Sequence, residues 1–147
     1  MGLLSKLLIK KSIDLHELNG ECKTSGELIA EATDGANLVD GHQTWVSAEF
    51  KKDDLDHMKK CCNAELETMQ KAGLVAAPFY FERVAILSRK AKNYRDEVYY
   101  CEKYISAVET YYRLNGARGV ADVRKGPRFQ AIAKRLPKAK ALLARVL

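Results

Sequence analysis

The chain holds 3 prolines and 9 glycines, so little interrupts regular structure, and long helices or strands are expected over most of its length. Cysteine is scarce as well, with 4 residues, Cys22, Cys61, Cys62 and Cys101. Two are adjacent and no Cys-x-x-Cys pair occurs, which argues against a disulfide scaffold or a zinc ribbon and for reduced thiols in the cytoplasm. No apolar run is long enough to span a bilayer, so no integral membrane segment is expected. The basic, apolar stretch Met1 to Ile9 lacks a small-residue cleavage site, and Lys6 stands where a myristoylation signal needs Ser or Thr. Gly-rich phosphate loops, His-Glu-x-x-His and Gly-x-Ser-x-Gly are all missing, and with them the usual marks of catalysis.

What is present describes a globular protein. The 147 residues are 47% hydrophobic and 30% charged, enough for one domain with its own core. The net charge of +6 is unevenly placed. From Ala117 onward nine Lys or Arg stand against Asp122 alone, so this segment carries +8 and the remainder −2. A mildly acidic body with a basic end points to an anionic partner and carries no information about fold.

Periodicity predicts an all-α protein of five or six helices with little or no sheet, a single helical domain over 1–147. The first helix is expected from Gly2 to Leu18, ended by Asn19-Gly20, either on this chain or on a second copy of it. Thr24 and Glu27 have capping-box spacing and open a short helix. Asp34-Gly35 and Asp40-Gly41 mark turns. The stretch to Phe50, with the only tryptophan, Trp45, fits a loop, a short helix or a small hairpin. Asp53 or Asp54 caps the next helix, whose stripe is Leu55, Met58, Cys62, Leu66 and Met69, and Gly73 closes it. Pro78 begins another. A further helix from Tyr94 to Leu114 has Tyr94, Val98, Cys101, Ile105, Val108 and Tyr112 as its main stripe. The last opens at Pro127, buries Phe129, Ile132, Leu136, Ala139, Leu143 and Val146, and should be kinked or divided by Pro137. The chain thus parts into 1–50, 53–114 and 117–147.

Within this pattern, Phe81-Glu82-Arg83-Val84-Ala85-Ile86-Leu87 and Lys92-Asn93-Tyr94 resemble one tetratricopeptide unit, spanning Pro78 to Arg113. That family pairs a large apolar residue with an apolar-small couple three and four positions later, as Phe81 pairs with Val84-Ala85. It places an aromatic just beyond the interhelical turn, as Tyr94 does. Glu97, Cys101 and Tyr104 depart from its pattern. The resemblance implies an antiparallel hairpin that binds a protein partner through the first helix, at Phe79, Glu82, Ile86, Arg89 and Lys90. Ile86 stands where the family's carboxylate clamp has asparagine, so that activity is not implied.

Three further constellations bear on function. Six of the 7 tyrosines lie between Tyr94 and Tyr112, and Tyr100, Tyr104 and Tyr111 form a line that suits either a partner surface or packing against the last helix. In the last helix Lys134, Lys138 and Arg145 project away from the apolar face, with Arg128 and Arg135 on one flank. This is either a solvated face or an anion and nucleic-acid surface. His57 and Cys61 are one turn apart, with Cys62 adjacent, but a structural zinc needs four ligands, so no metal or other cofactor is expected. Asp40, His42 and Glu49 around Trp45 are the place to look for catalysis, which is not expected either. The leading expectation is a non-catalytic protein-binding module, and the alternative is a nucleic-acid-associated protein.

Overall fold

A computed structural model describes residues 23–116 and 121–147. The first helix expected at 2–18 lies outside the described residues. The described residues form six α-helices and one two-stranded ribbon, so the mostly helical expectation holds. Helix α1 spans Ser25–Ala32. Strands β1 (Leu38–Val39) and β2 (His42–Gln43) form the ribbon, and α2 follows directly at Thr44–Phe50. Helices α3 (Leu55–Ala72), α4 (Pro78–Lys90), α5 (Tyr94–Asn115) and α6 (Pro127–Val146) make the body, with a single 3-10 turn at Val123–Lys125 before α6.

Local chemistry sets these boundaries. Thr24 and Glu27 close a reciprocal capping box on α1. The Asp54 carboxylate accepts from His57 N at the start of α3, and Gly73 in the left-handed conformation ends it. Asn93 accepts from Asp96 N at 3.1 Å and starts α5. Asp40 and Gly41 both have positive φ, 51° and 82°, the backbone of a two-residue hairpin turn, which pairs Leu38 with Gln43 and Val39 with His42. The stretch before Phe50 is therefore a hairpin followed by a short helix, where sequence alone left these as alternatives.

The core lies where α3, α4, α5 and α6 meet. Phe81, Val84 and Ala85 are wholly buried. Phe81 stacks on Tyr104 with centroids 4.5 Å apart, and the Tyr104 hydroxyl donates to Ala76 O at 2.8 Å. Met58, Cys61, Cys62, Cys101, Val108 and Ile132 fill the space around this pair. The stripe expected on α5 is displaced by part of a turn. Glu97, Tyr100, Cys101, Tyr104, Val108 and Tyr112 are buried, whereas Tyr94, Val98 and Ile105 are only half-buried. The cause is that α5 is covered on two sides, by α4 and by α6, so its buried arc is centred between them.

Pro137 does not divide the last helix, which runs unbroken from Pro127 to Val146. Pro137 and Ala133 are both exposed, so the Ala133 carbonyl that loses its donor faces water. Val146, expected on the apolar face, is also exposed.

One buried charge joins three helices. The Glu97 side chain is wholly buried on α5. Arg89 of α4 donates from Nε to Glu97 Oε2 at 2.9 Å and places Nη2 2.6 Å from Oε1. Arg135 of α6 brings Nη1 to 3.7 Å from the same oxygen. A carboxylate without access to water is tolerable only when paired in this way. Glu97→Ala leaves two arginines facing one another across the α4–α6 contact. It should cost about 2–3 kcal/mol of stability, less than a fully buried break because both guanidinium groups reach solvent. Lys71→Ala, which removes the exposed Lys71–Glu67 pair, should cost no more than ~0.5 kcal/mol. Denaturant midpoints of the two variants check the contrast.

Candidate functional site

The face of α4 to which the tetratricopeptide resemblance assigns a partner is occupied by the chain itself. Helix α6 packs along α4 and α5. Arg128 of α6 pairs with Glu82 at 2.7 Å and sets its guanidinium over the Phe79 ring, 5.0 Å from the centroid. Arg89 is engaged with Glu97 and reaches the Arg135 carbonyl at 3.4 Å. Of the five residues expected to face a partner there, Phe79, Glu82 and Arg89 thus serve the α4–α6 contact, Ile86 is half-buried, and Lys90 is exposed. The tyrosine line divides between core and surface. Tyr100 and Tyr104 are buried core residues, drawn inward because α5 is sandwiched between two helices. Tyr111 remains at a surface, its hydroxyl donating to Gly73 O at 3.1 Å.

That surface is a groove between α3 and α5. Leu66 and Met69 come from α3 and Ala107, Tyr111 and Leu114 from α5, with Asn63, Glu67, Gln70, Lys103 and Thr110 around them, enclosing about 640 Å³. Leu66 and Met69 occupy the edge of the expected α3 stripe and are half-buried, because the buried residues of α3 centre on Met58, Cys61, Cys62 and Thr68. Leu114 is 74% exposed. An apolar floor with a polar rim between two helices accepts an apolar side chain or the face of a helix.

The residues suspected of catalysis do not converge as expected. His42 and Glu49 are exposed on β2 and α2. Asp40 instead approaches His57, with Oδ2 3.6 Å from Nδ1, and His57 Nε2 lies 2.8 Å from Ser47 Oγ. A serine, a histidine and a carboxylate in that order invite comparison with a hydrolase triad. The geometry serves another purpose. Ser47 is buried against α3 inside a helix, the Asp40 contact is longer than a hydrogen bond, and its carboxylate is shared with Lys60 at 3.8 Å. This chain clasps the hairpin and α2 onto α3.

Among the described residues no three His, Cys, Asp or Glu side chains come together as a metal site. Cys61 and Cys62, the thiols considered for zinc, are buried free cysteines, as is Cys101. Burial pushes the Cys61 and Cys62 thiols upward, the second strongly, and raises that of Cys101 from 9.0 to about 11. Burial also raises the hydroxyls of Tyr80 and Tyr100 from 10.0 to about 12.

The basic helix divides into two sets. Arg128 and Arg135 are spent on Glu82 and Glu97, and Lys140 pairs with Glu102 at 2.8 Å. Lys134, Lys138 and Arg145 are exposed, with no ion pair among the described residues. No described helix is long and apolar enough to cross a membrane. No protein-family model matches the chain, and no curated protein or solved structure matches it either.

The raised thiols and phenols have a consequence for stability. The native state holds these protons more tightly than the unfolded chain, so their contribution is complete below pH 9 and is lost as pH rises through the folded values. The unfolding midpoint should fall steadily between pH 9 and about 11 as Cys101 and its neighbours ionise. Cys101→Val should flatten the fall, as read by denaturant titration at each pH.

Proposed function

We propose that the protein is a non-catalytic, tetratricopeptide-like interaction module of the cytosol that binds another protein across the groove between α3 and α5. The observation that carries this reading is the asymmetry between two faces of the same helical body. The face of α4 favoured by the family resemblance is filled by α6, whereas Leu66, Met69, Ala107, Tyr111 and Leu114 form an apolar strip open between the ridges of α3 and α5. The buried Phe81, Val84 and Ala85 and the short turn at Asn93 support the resemblance of the hairpin itself. Tyr111 and Met69 are residue types that hold partners well, one large and amphipathic, the other adaptable. Free, buried thiols are consistent with a reducing compartment.

The experiment is capture of partners from native extract on the full chain, with and without nuclease. Leu114→Asp and Ala107→Arg place a charge in the groove and should lower recovery of a discrete protein partner more than tenfold. Leu114→Asp should change stability by no more than ~0.5 kcal/mol, because the side chain is exposed. A partner that binds both variants as well as the parent would refute the groove as the site.

A second reading rests on a separate observation. Helix α6 carries no acidic residue, and Lys134, Lys138 and Arg145 are exposed on it. Three phosphate contacts would give log affinity a slope of about −2 to −3 against log salt. If recovered material is nuclease-sensitive, follows that slope and is lost when all three become glutamate, the basic face is the binding site. Salt-independent recovery would end this second reading.

A further inference from the structure

A second cavity, separate from the groove, lies where α1, the ribbon, the start of α2 and the end of α3 meet. It encloses about 510 Å³, a volume suited to a small ligand, and its lining includes Gly26, Asn37, Gln43, Trp45, Glu65 and Thr68. Among the described residues no Lys, Arg or His lines it, and its two ionisable groups are Glu27 and Glu65.

Four donors of this cavity are already committed. Thr44 donates its hydroxyl proton to Glu65 Oε1 at 2.8 Å, and Thr68 donates to Ala64 O at 2.8 Å. The Trp45 indole N–H donates to Gln43 Oε1 at 2.7 Å, and Asn37 Nδ2 donates to Gly26 O at 3.0 Å. Acceptors remain. The two oxygens of Glu65 hold one partner each, Thr44 and the Ala77 amide, and so keep lone pairs to spare. Asn37 is 8% exposed, and its Oδ1 is buried without a hydrogen-bond partner among the described residues. Exchanging its amide oxygen and nitrogen would set oxygen against the Gly26 carbonyl, so the orphan is an acceptor. The first turn of α1 turns its positive end this way, and Glu27 meets it by accepting from Thr24 N at 2.7 Å. Trp45 supplies a wall that is 61% exposed, with its polar edge already turned to Gln43.

Among the described residues an anion would find two carboxylates here and no cation, and the oxygens of Glu65 and Asn37 call for a donor. A ligand that brings its own donors, a positive charge and a short apolar stem meets these acceptors. We propose that this cavity binds an aliphatic primary ammonium, which donates to Glu65 and Asn37 and lies beside the Trp45 ring. Indole is the best of the aromatic faces for a cation. The apolar stem would run along Ile29, Leu74 and Val75, which complete the lining. A free alkylamine and a lysine side chain offer the same chemistry.

Trp45 is the only tryptophan, so its fluorescence reports this site alone. The full chain is titrated with n-butylammonium chloride, with n-butanol and with sodium chloride at matched ionic strength. A capped Gly-Lys-Gly peptide forms a fourth arm. A saturable change with n-butylammonium and none with butanol or salt is expected. A lower half-saturation with the tripeptide would assign the site to a protein-borne lysine, and a higher one to a free amine. Glu65→Gln should weaken binding at least tenfold.

Because Glu65 also holds Thr44 and Ala77, a second variant guards against misfolding. In Gly26→Ala the new Cβ would stand 1.8 Å from Gln43 Oε1, the far end of a flexible side chain that must swing away and release the indole. Binding should weaken severalfold while circular dichroism is unchanged. Failure of both ammonium arms to saturate, an equal response to butanol, or parent-like affinity in both variants would overturn the proposal. None of these results bears on the α3–α5 groove, whose own variants leave this cavity untouched.

Discussion

The buried carboxylate of Glu97 is the constraint around which the rest of the molecule is arranged. It comes from the first turn of α5, where a negative charge suits the helix dipole, and it is shut away from water by the helices on either side. A charge so placed demands partners, and the two arginines that answer belong to different helices, Arg89 to α4 and Arg135 to α6. Apolar packing alone is tolerant of small rotations and slides. A guanidinium–carboxylate fork such as that of Arg89 on Glu97 is far less so, and Arg135 of α6 adds a longer contact, at 3.7 Å, to the same carboxylate.

Once α6 is held there, the functional surface is decided by exclusion. Arg128 covers Phe79 and neutralises Glu82, so the helix that a tetratricopeptide unit offers to a partner becomes an internal contact. The positive charge of the C-terminal segment is divided by the same event. Part of it satisfies the acidic positions of α4 and α5, and only the outward residues remain for anything else. What stays open is the side between α3 and α5, with Leu66, Met69 and Leu114 along a groove.

At the other end, the hairpin and α2 are held to α3 by small polar contacts beside the apolar Val39 and Ala48. Thr44 binds Glu65, Ser47 meets His57, and His57 approaches Asp40. A region built that way leaves room between its elements, and the cavity beside Trp45 is that room. The same polarity gives the cavity its acceptor-rich walls.

Much of the framework was legible from the residues. Thr24 with Glu27, Asp54, Gly73, Pro78 and Asn93 each end or begin a helix through interactions a few positions away, and such interactions depend on sequence neighbours alone. Phe81, Val84 and Ala85 were equally readable as a close-packed face. The environment of a helix's sides is another matter, because it depends on what lies across from them. Periodicity put Tyr100 and Tyr104 beside the core stripe of α5, and it is packing from elsewhere in the chain, Phe81 and Ala76 for Tyr104, that buries them. Glu97 stood out only as a departure from the tetratricopeptide pattern, since nothing nearby in sequence announces an arginine thirty-eight residues later. Local order was written in short-range chemistry, while the choice of which faces close and which stay open came from long-range pairing that no window of sequence contains.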